Sequence, residues 1–586
     1  RWGRHWLDVA RFGESVGKTR NFPLTFAWRY RDYVVDAFNN DMPYDQFVRE
    51  QIAGDLLPAN TDQDRKRQIV ATGFLGIGSH DLNEGNTSQF EMDIVGEQID
   101  TVSRSLVALT VGCARCHDHK FDPIPTADYY ALAGIFQSTE LLSGYVNKRQ
   151  KPDYFSISKL HELPGYASPA EAIDAEQNSR TAKRQNNQLA NLRKQLQEIN
   201  KGTRDIRQNR DLTKQERDDQ IAQLNQERKQ IQRRIRRVSQ QDRGRKPPTG
   251  ELAIGVRDKQ EIADCKINLR GDPGKLGGRV ARGFLQVATT EHMQLPETSS
   301  GRVELANWLV DNKHPLTARV IVNRVWQHMF GEGIVRTVDN FGTMGERPTH
   351  PELLDYLANR FMQEGWSIKS LVRQIALSHT YQLSSEPSEK NAQIDGDNRY
   401  LWRMAPRRMD AESIRDAILQ ASGALQLNRP DASPVAELPI AESGRNRQVA
   451  SNLALPVRSI YLPVVRNNID EFFTVFDFPD PSEVRGKRDV TTVPTQALFM
   501  MNSDFVLEQA ELAAKELIEQ SNDDSERIVA AYRRMLSRTP TEDEISRTLQ
   551  YVVDTIDTET RKARAESIAW TDVCQALFAS AEFRYR

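Results

Sequence analysis

Apolar residues that recur every three or four positions run through most of this chain, and that period commits it to α-helix. In "AWRYRDYVVDAFNNDMPYDQFVREQIAGDLLP", Trp28, Val34, Val35 and Phe38, then Phe47, Ile52 and Leu56, fall at helical spacing, with Pro43 at the break. Ile94, Ile99, Val102, Leu106 and Leu109 form a second stripe that leads straight to Cys113. From about residue 300 the pattern returns, in "TARVIVNRVWQHMFG", "HPELLDYLANRFMQEG" and "DAESIRDAILQASGAL" among others. Thr349 with Glu352, and Thr541 with Glu544, predict capping boxes. Strand-like runs are few: "ELAIGV" and "DCKINLRG", which predict a small β unit, and "RSIYLPVV", which predicts a lone strand.

A chain of 586 residues exceeds what one hydrophobic core supports. The expected fold is therefore mainly α and multi-domain: a helical domain over 1–165, an inserted helical hairpin over 166–248, a small β-rich unit over 249–298 and a mainly helical domain over 299–586. The insertion is marked by Leu189, Leu192, Leu196 and Ile199, and by Ile221, Leu224, Ile231, Ile235 and Val238, with Gly202 between the two seams. Thr213 and Glu216 would restart the helix after that break. Residues 180–246 carry 20 Lys/Arg against 8 Asp/Glu, in a chain whose net charge is −2. That contrast reads as the solvated face of a projecting antiparallel coiled coil, and a nucleic-acid partner is not expected. No apolar run approaches the ~20 residues of a membrane span.

Chemistry concentrates in "GCARCHDHKFDP", which uses two of only four cysteines. Cys-x-x-Cys-His places two sulfurs and an imidazole as covalent haem attachment requires, with Cys113 and Cys116 bonding the vinyl carbons and His117 as axial ligand of the iron. A zinc site made of Cys113, Cys116, His117 and His119 is the alternative, and four ligands from seven residues would demand a very tight turn. The third reading is two packed thiols beside two structural histidines. If haem is present, the second axial ligand would come from His5, His80, His119, His328, His350, His379, Met329 or Met344, or the position would stay open. Cys265 and Cys574 stand too far apart in sequence for a disulfide framework and are expected to be buried free thiols.

Elsewhere, "HPLTARVIVNRVWQHMFG" would put Arg319 and Asn323 on one helix face and Arg324 with His328 on another, as contacts for a substrate or haem propionate or as an internal network. The carboxylates of "SHDLNEGNTSQFEMD" and "FDFPDPSEVRGKRD" lack calcium-loop spacing, and there is no phosphate-cradling glycine loop or G-x-S-x-G elbow. Whether the chain is an enzyme is left open by its residues.

The stretches "RHWLDVARF", "GCARCHDHKFDPIPTADYYALAGIF", "HPLTARVIVNRVWQHMFGEGIVRTVDNFG", "RRMDAESIRDAIL" and "GKRDVTTVPTQALFMMNS" resemble the planctomycete cytochrome-associated exported proteins built from two consecutive domains of unknown function. The likeness covers nearly everything except the basic insertion. It implies an exported, periplasmic setting, an additional cytochrome c module or other redox partner, sulfated-polysaccharide metabolism and an exported partner of sulfatase-like fold. Residue by residue, the family's Cys-Cys-His motif falls on Cys113, Cys116 and His117. The chain opens Arg-Trp-Gly-Arg and is read as a fragment or processed form. Together these readings give an exported c-type cytochrome-like protein carrying haem c, or alternatively a non-enzymatic scaffold of a polysaccharide-processing complex with structural zinc or no metal at the motif.

Overall fold

The computed structural model describes residues 1–147, 155–165, 251–289, 294–437, 455–559 and 564–585, with isolated helical positions at 206, 220, 224, 227 and 231. The expected coiled-coil hairpin, with its Thr213–Glu216 capping box, lies outside the described residues. Helices dominate, as the periodicity predicts. Ala27–Asn39 and Tyr44–Ala53 meet at Pro43, and Thr87–Val102 starts at Asn86, whose side chain accepts the Ser88 and Gln89 N–H groups.

Before reaching Cys113 the chain leaves the α-helix. Ser103–Val107 widens into a π-turn, Ala108 turns left-handed at φ 51°, and Val111–Arg115 resumes as a 3-10 turn. That sequence of turns carries the motif off the helix axis and onto the surface.

Among the described residues, six short strands make three antiparallel pairs. β1 (Thr139–Leu142) pairs with β4 (Gly255–Asp258), β2 (His161–Glu162) with β3 (Leu252–Ala253), and β5 (Cys265–Asn268) with β6 (Leu276–Val280). The strands expected after residue 250 are thus present, but β3 and β4 pair back onto strands from the first 165 residues. Two expectations fail locally. "RSIYLPVV" forms a 3-10 turn over Ser459–Tyr461 and no ladder, because Leu462 and Val464 are buried in different apolar cores and Pro463 has no N–H to donate. The Thr349–Glu352 box does not form. Pro351 takes the first helical position with His350 as N-cap, so Thr349 falls outside the helix and hydrogen-bonds the Ile334 carbonyl instead. Thr541 and Glu544 make theirs.

One apolar core runs from Trp6 through Ile99, Phe136 and Val256 to Leu305, Val325, Phe361 and Val484. A second gathers Ile414, Phe472, Ile528, Trp570 and Phe578 from the C-terminal helices. Between the two ends of the chain, Arg466 is fully buried and donates to backbone carbonyls of Arg11 (2.7 Å), Ser15 and Pro481 (3.1 Å). Gly13 makes room for it, since a Cβ there would stand 2.8 Å from the guanidinium carbon. Beside it, Asp8 and Glu412 share Arg4 and Arg488 in a buried ring of alternating charge. Arg488 reaches Asp8 at 2.6 Å and Glu412 at 2.6 and 2.8 Å. Arg4 reaches Asp8 at 2.7 Å and Glu412 at 3.6 Å. No helix among the described residues is long and apolar enough to cross a membrane.

Candidate functional site

Cys113 and Cys116 are free, exposed thiols, the first on the 3-10 turn and the second directly after it. His117 follows them, also exposed. Its Nδ1 lies 2.7 Å from the carbonyl oxygen of Asp118. A carbonyl only accepts, so Nδ1 carries the proton and Nε2 keeps its lone pair for another partner. Metal-ligating histidines are commonly oriented by just such a backbone hydrogen bond.

His119 faces the other way. Its Nδ1 accepts N–H groups from Asp122 (2.8 Å) and Phe121 (3.3 Å), which leaves Nε2 to donate to Thr110 Oγ1 at 3.2 Å. The side chain is 6% exposed. A zinc set including His119 would have to dismantle this turn. Among the described residues no group of three or more His, Cys, Asp or Glu side chains is gathered as for a metal ion.

Three elements brace the motif. The Thr126–Gln137 helix supplies Tyr130, whose hydroxyl lies 3.0 Å from the Arg115 carbonyl and 3.1 Å from that of Asn268. The turn after β5 brings Gly271, at φ +76°, so close that a Cβ would stand 2.7 Å from Cys116 Sγ. The segment at 341–343 donates the Phe341 N–H to the Ala108 carbonyl and the Thr343 N–H to Asp122 at 2.6 Å. Phe121 and Leu269, 47% and 50% exposed, leave apolar surface on two of the segments that meet here.

The other sequence-predicted residues are not drawn into this site. Arg319 pairs with Asp355 at 2.7 Å. Asn323 is buried and clamps both the N–H and the C=O of Val335. Arg324 holds the Arg104 and Ser105 carbonyls of the π-turn and Asp339, and so supports the motif's approach rather than its face. His328 stacks on His5 with ring centroids 3.7 Å apart. Burial and the arginines around it hold His328 down to about 3, and burial with the neighbouring His328 holds His5 well below its ordinary value. His80 and Met329 are buried as well. Of the other axial candidates, Met344 is 61% exposed and next in sequence to Thr343, which contacts the motif turn. Cys265 and Cys574 are buried free thiols, as expected.

Asp118, Asp122, Thr110 and Gly271 went unrecognised in the sequence. Only Gly271, inside "GDPG", carried a signal, that of a turn. The buried ring of Arg4, Asp8, Glu412 and Arg488 was missed too, although each member lies in one of the quoted family-like stretches.

The structure is thus a mainly helical body that displays Cys-x-x-Cys-His on a braced surface turn. Residues 1–141 match the family model described as PSCyt2, a protein of unknown function (DUF1549), and residues 301–552 match PSD1, a protein of unknown function (DUF1553). The chain belongs to this planctomycete cytochrome-associated two-domain family. Comparisons with curated proteins and with solved structures give no match.

Proposed function

We propose that the protein is an exported c-type cytochrome-like component that takes part in electron transfer or another redox step of extracytoplasmic, sulfated-polysaccharide metabolism. The observation that carries the reading is the exposed His117, with Nδ1–H held by the Asp118 carbonyl and no hydrogen bond at Nε2 among the described residues, beside two exposed free thiols at attachment spacing. Cys113 and Cys116 would hold haem c through thioether bonds and His117 would ligate its iron. The group would supply one-electron chemistry. The chain's own residues orient the imidazole through Asp118, fix the turn through His119 and Asp122, and leave space at Gly271 beside Cys116. The exposed position suits exchange with a redox partner or an additional cytochrome c module.

The test is production in a host with haem-c maturation. Protein holding about one iron per chain, with Soret absorption that survives acid-acetone extraction and disappears in C113S/C116S, supports the reading. A colourless protein that binds zinc instead would overturn it.

A further inference from the structure

A second site stands apart from the motif. The Ala27–Asn39 and Ile368–Ala376 helices and the stretch at 458–461 enclose an open cavity of about 570 Å³, within the ordinary range for small-molecule sites. Among the described residues, Arg1, Lys369, Arg373 and Arg458 line it and no Asp or Glu does.

Carboxylates on and beside the lining elements are already engaged: Asp32 and Asp36 by Arg429, Asp41 by the Ser367 hydroxyl and the Lys369 N–H, and Asp416 by the Ser459 N–H and hydroxyl. Lys369 also donates its ammonium to the Asn39 carbonyl at 2.7 Å, and Arg1 lies 3.9 Å from Asp410. Arg373 and Arg458 are exposed and form no side-chain hydrogen bond or ion pair among the described residues. Two guanidiniums without an ion-pair partner among the described residues, on two of the elements that line the cavity, give it a positive potential. Opposite charge is what the wall lacks.

The remainder is apolar and aromatic, including Phe38, Tyr461, Ile460 and Leu427, the last 62% exposed. A bare inorganic anion would leave this surface wet, and an uncharged apolar ligand would desolvate the arginines without compensation. The ligand that satisfies both has an anionic substituent on a ring with a C–H face.

We infer that this cavity binds an anionic sugar of about disaccharide size, with its sulfate or carboxylate between Arg373 and Arg458 and its ring against the Phe38, Ile460 and Leu427 wall. The inference deepens the polysaccharide half of the proposed function, rests on that half alone, and is independent of the cofactor half. A colourless protein would bind the sugar equally well.

Titration calorimetry on the full chain tests it with four probes: a sulfated disaccharide, its desulfated parent, a uronic-acid disaccharide and sodium sulfate. Saturable binding of the sulfated or the uronic disaccharide, weakening as salt rises, is expected, and which of the two binds tighter identifies the anion. The neutral parent and sodium sulfate should each bind at least about tenfold more weakly. R373E/R458E should lower affinity at least about tenfold, and the milder R373Q/R458Q, with an unchanged melting temperature, should lower it in the same direction. Absence of binding at millimolar ligand, equal affinity in R373E/R458E, or equal affinity for sodium sulfate would each overturn the proposal.

Discussion

Replacing His119 by Ala removes the acceptor of the Asp122 and Phe121 amides and the donor to Thr110. The expected cost is about 1–3 kcal/mol in urea unfolding, because the orphaned groups lie in a nearly buried turn. H117A, on an exposed ring, should cost within about 0.5 kcal/mol and instead change any haem spectrum. The sequence presents these two histidines as near equivalents, two positions apart. What separates them is where the chain turns after Cys116, and that depends on Thr110 and on Asp122, which is held by Thr343 more than 200 residues away. The motif itself was legible, whereas the division of labour inside it was not.

Titration gives a second test at this scale. His5 and His328 stay neutral in the fold, so the unfolded chain takes up protons first as pH falls below about 6.5, and stability declines toward acid. Glu14, fully buried, is pushed up by burial to about 7 from 4.5, so the unfolded state ionises first and stability declines as pH rises between those values. The Glu14 effect amounts to about 3 kcal/mol at full development. Denaturant unfolding of E14Q between pH 4.5 and 7.5 should show a smaller loss of stability with rising pH than the wild type, and H328Q a weaker loss below pH 6.5. An unchanged pH profile in either variant would contradict its assignment.

At the level of elements, helices were readable because they carry their own period and, in places, their own end signals: Pro43 before Tyr44, Thr541 with Glu544. Thr541→Ala should lower stability by about 1 kcal/mol in thermal or urea unfolding. The strands were half legible. Runs of two to five residues carry enough pattern to announce an extended segment, but β4 finds its partner more than a hundred residues back in β1, and nothing local specifies that pairing. The turn between β5 and β6 is the element nearest the thiols. G271A would have to adopt φ +76° and displace Cys116 Sγ, so it should lower both stability, by about 1–2 kcal/mol, and the yield of any covalent haem attachment. The first is read by unfolding and the second by the retained Soret band.

Across the whole molecule, the two family-matched regions do not behave as beads on a string. Residues from both build the larger core, and Arg488 reaches back from the second region to Asp8 in the first. Arg488→Ala would leave the buried Asp8 and Glu412 carboxylates with Arg4 as their only cation in the ring and should cost about 3–5 kcal/mol, measured by thermal or urea unfolding, although the residue lies far in sequence from the Cys-x-x-Cys-His turn. Length and periodicity carry no record of such returns.

The β2–β3 pair draws this further. His161 lies opposite Ala253 and Glu162 opposite Leu252, so the chain leaves for its basic insertion and re-enters at almost the same point. A detour that starts and finishes at one doorway asks little of the house, since each doubling of a loop's length adds only about 0.6 kcal/mol to the cost of closing it. Replacement of residues 166–248 should therefore be tolerated. A short turn, or a foreign domain with adjacent termini, should be accepted there with the melting temperature nearly unchanged, while the body keeps its thiols, its cavity and its buried ring of charge.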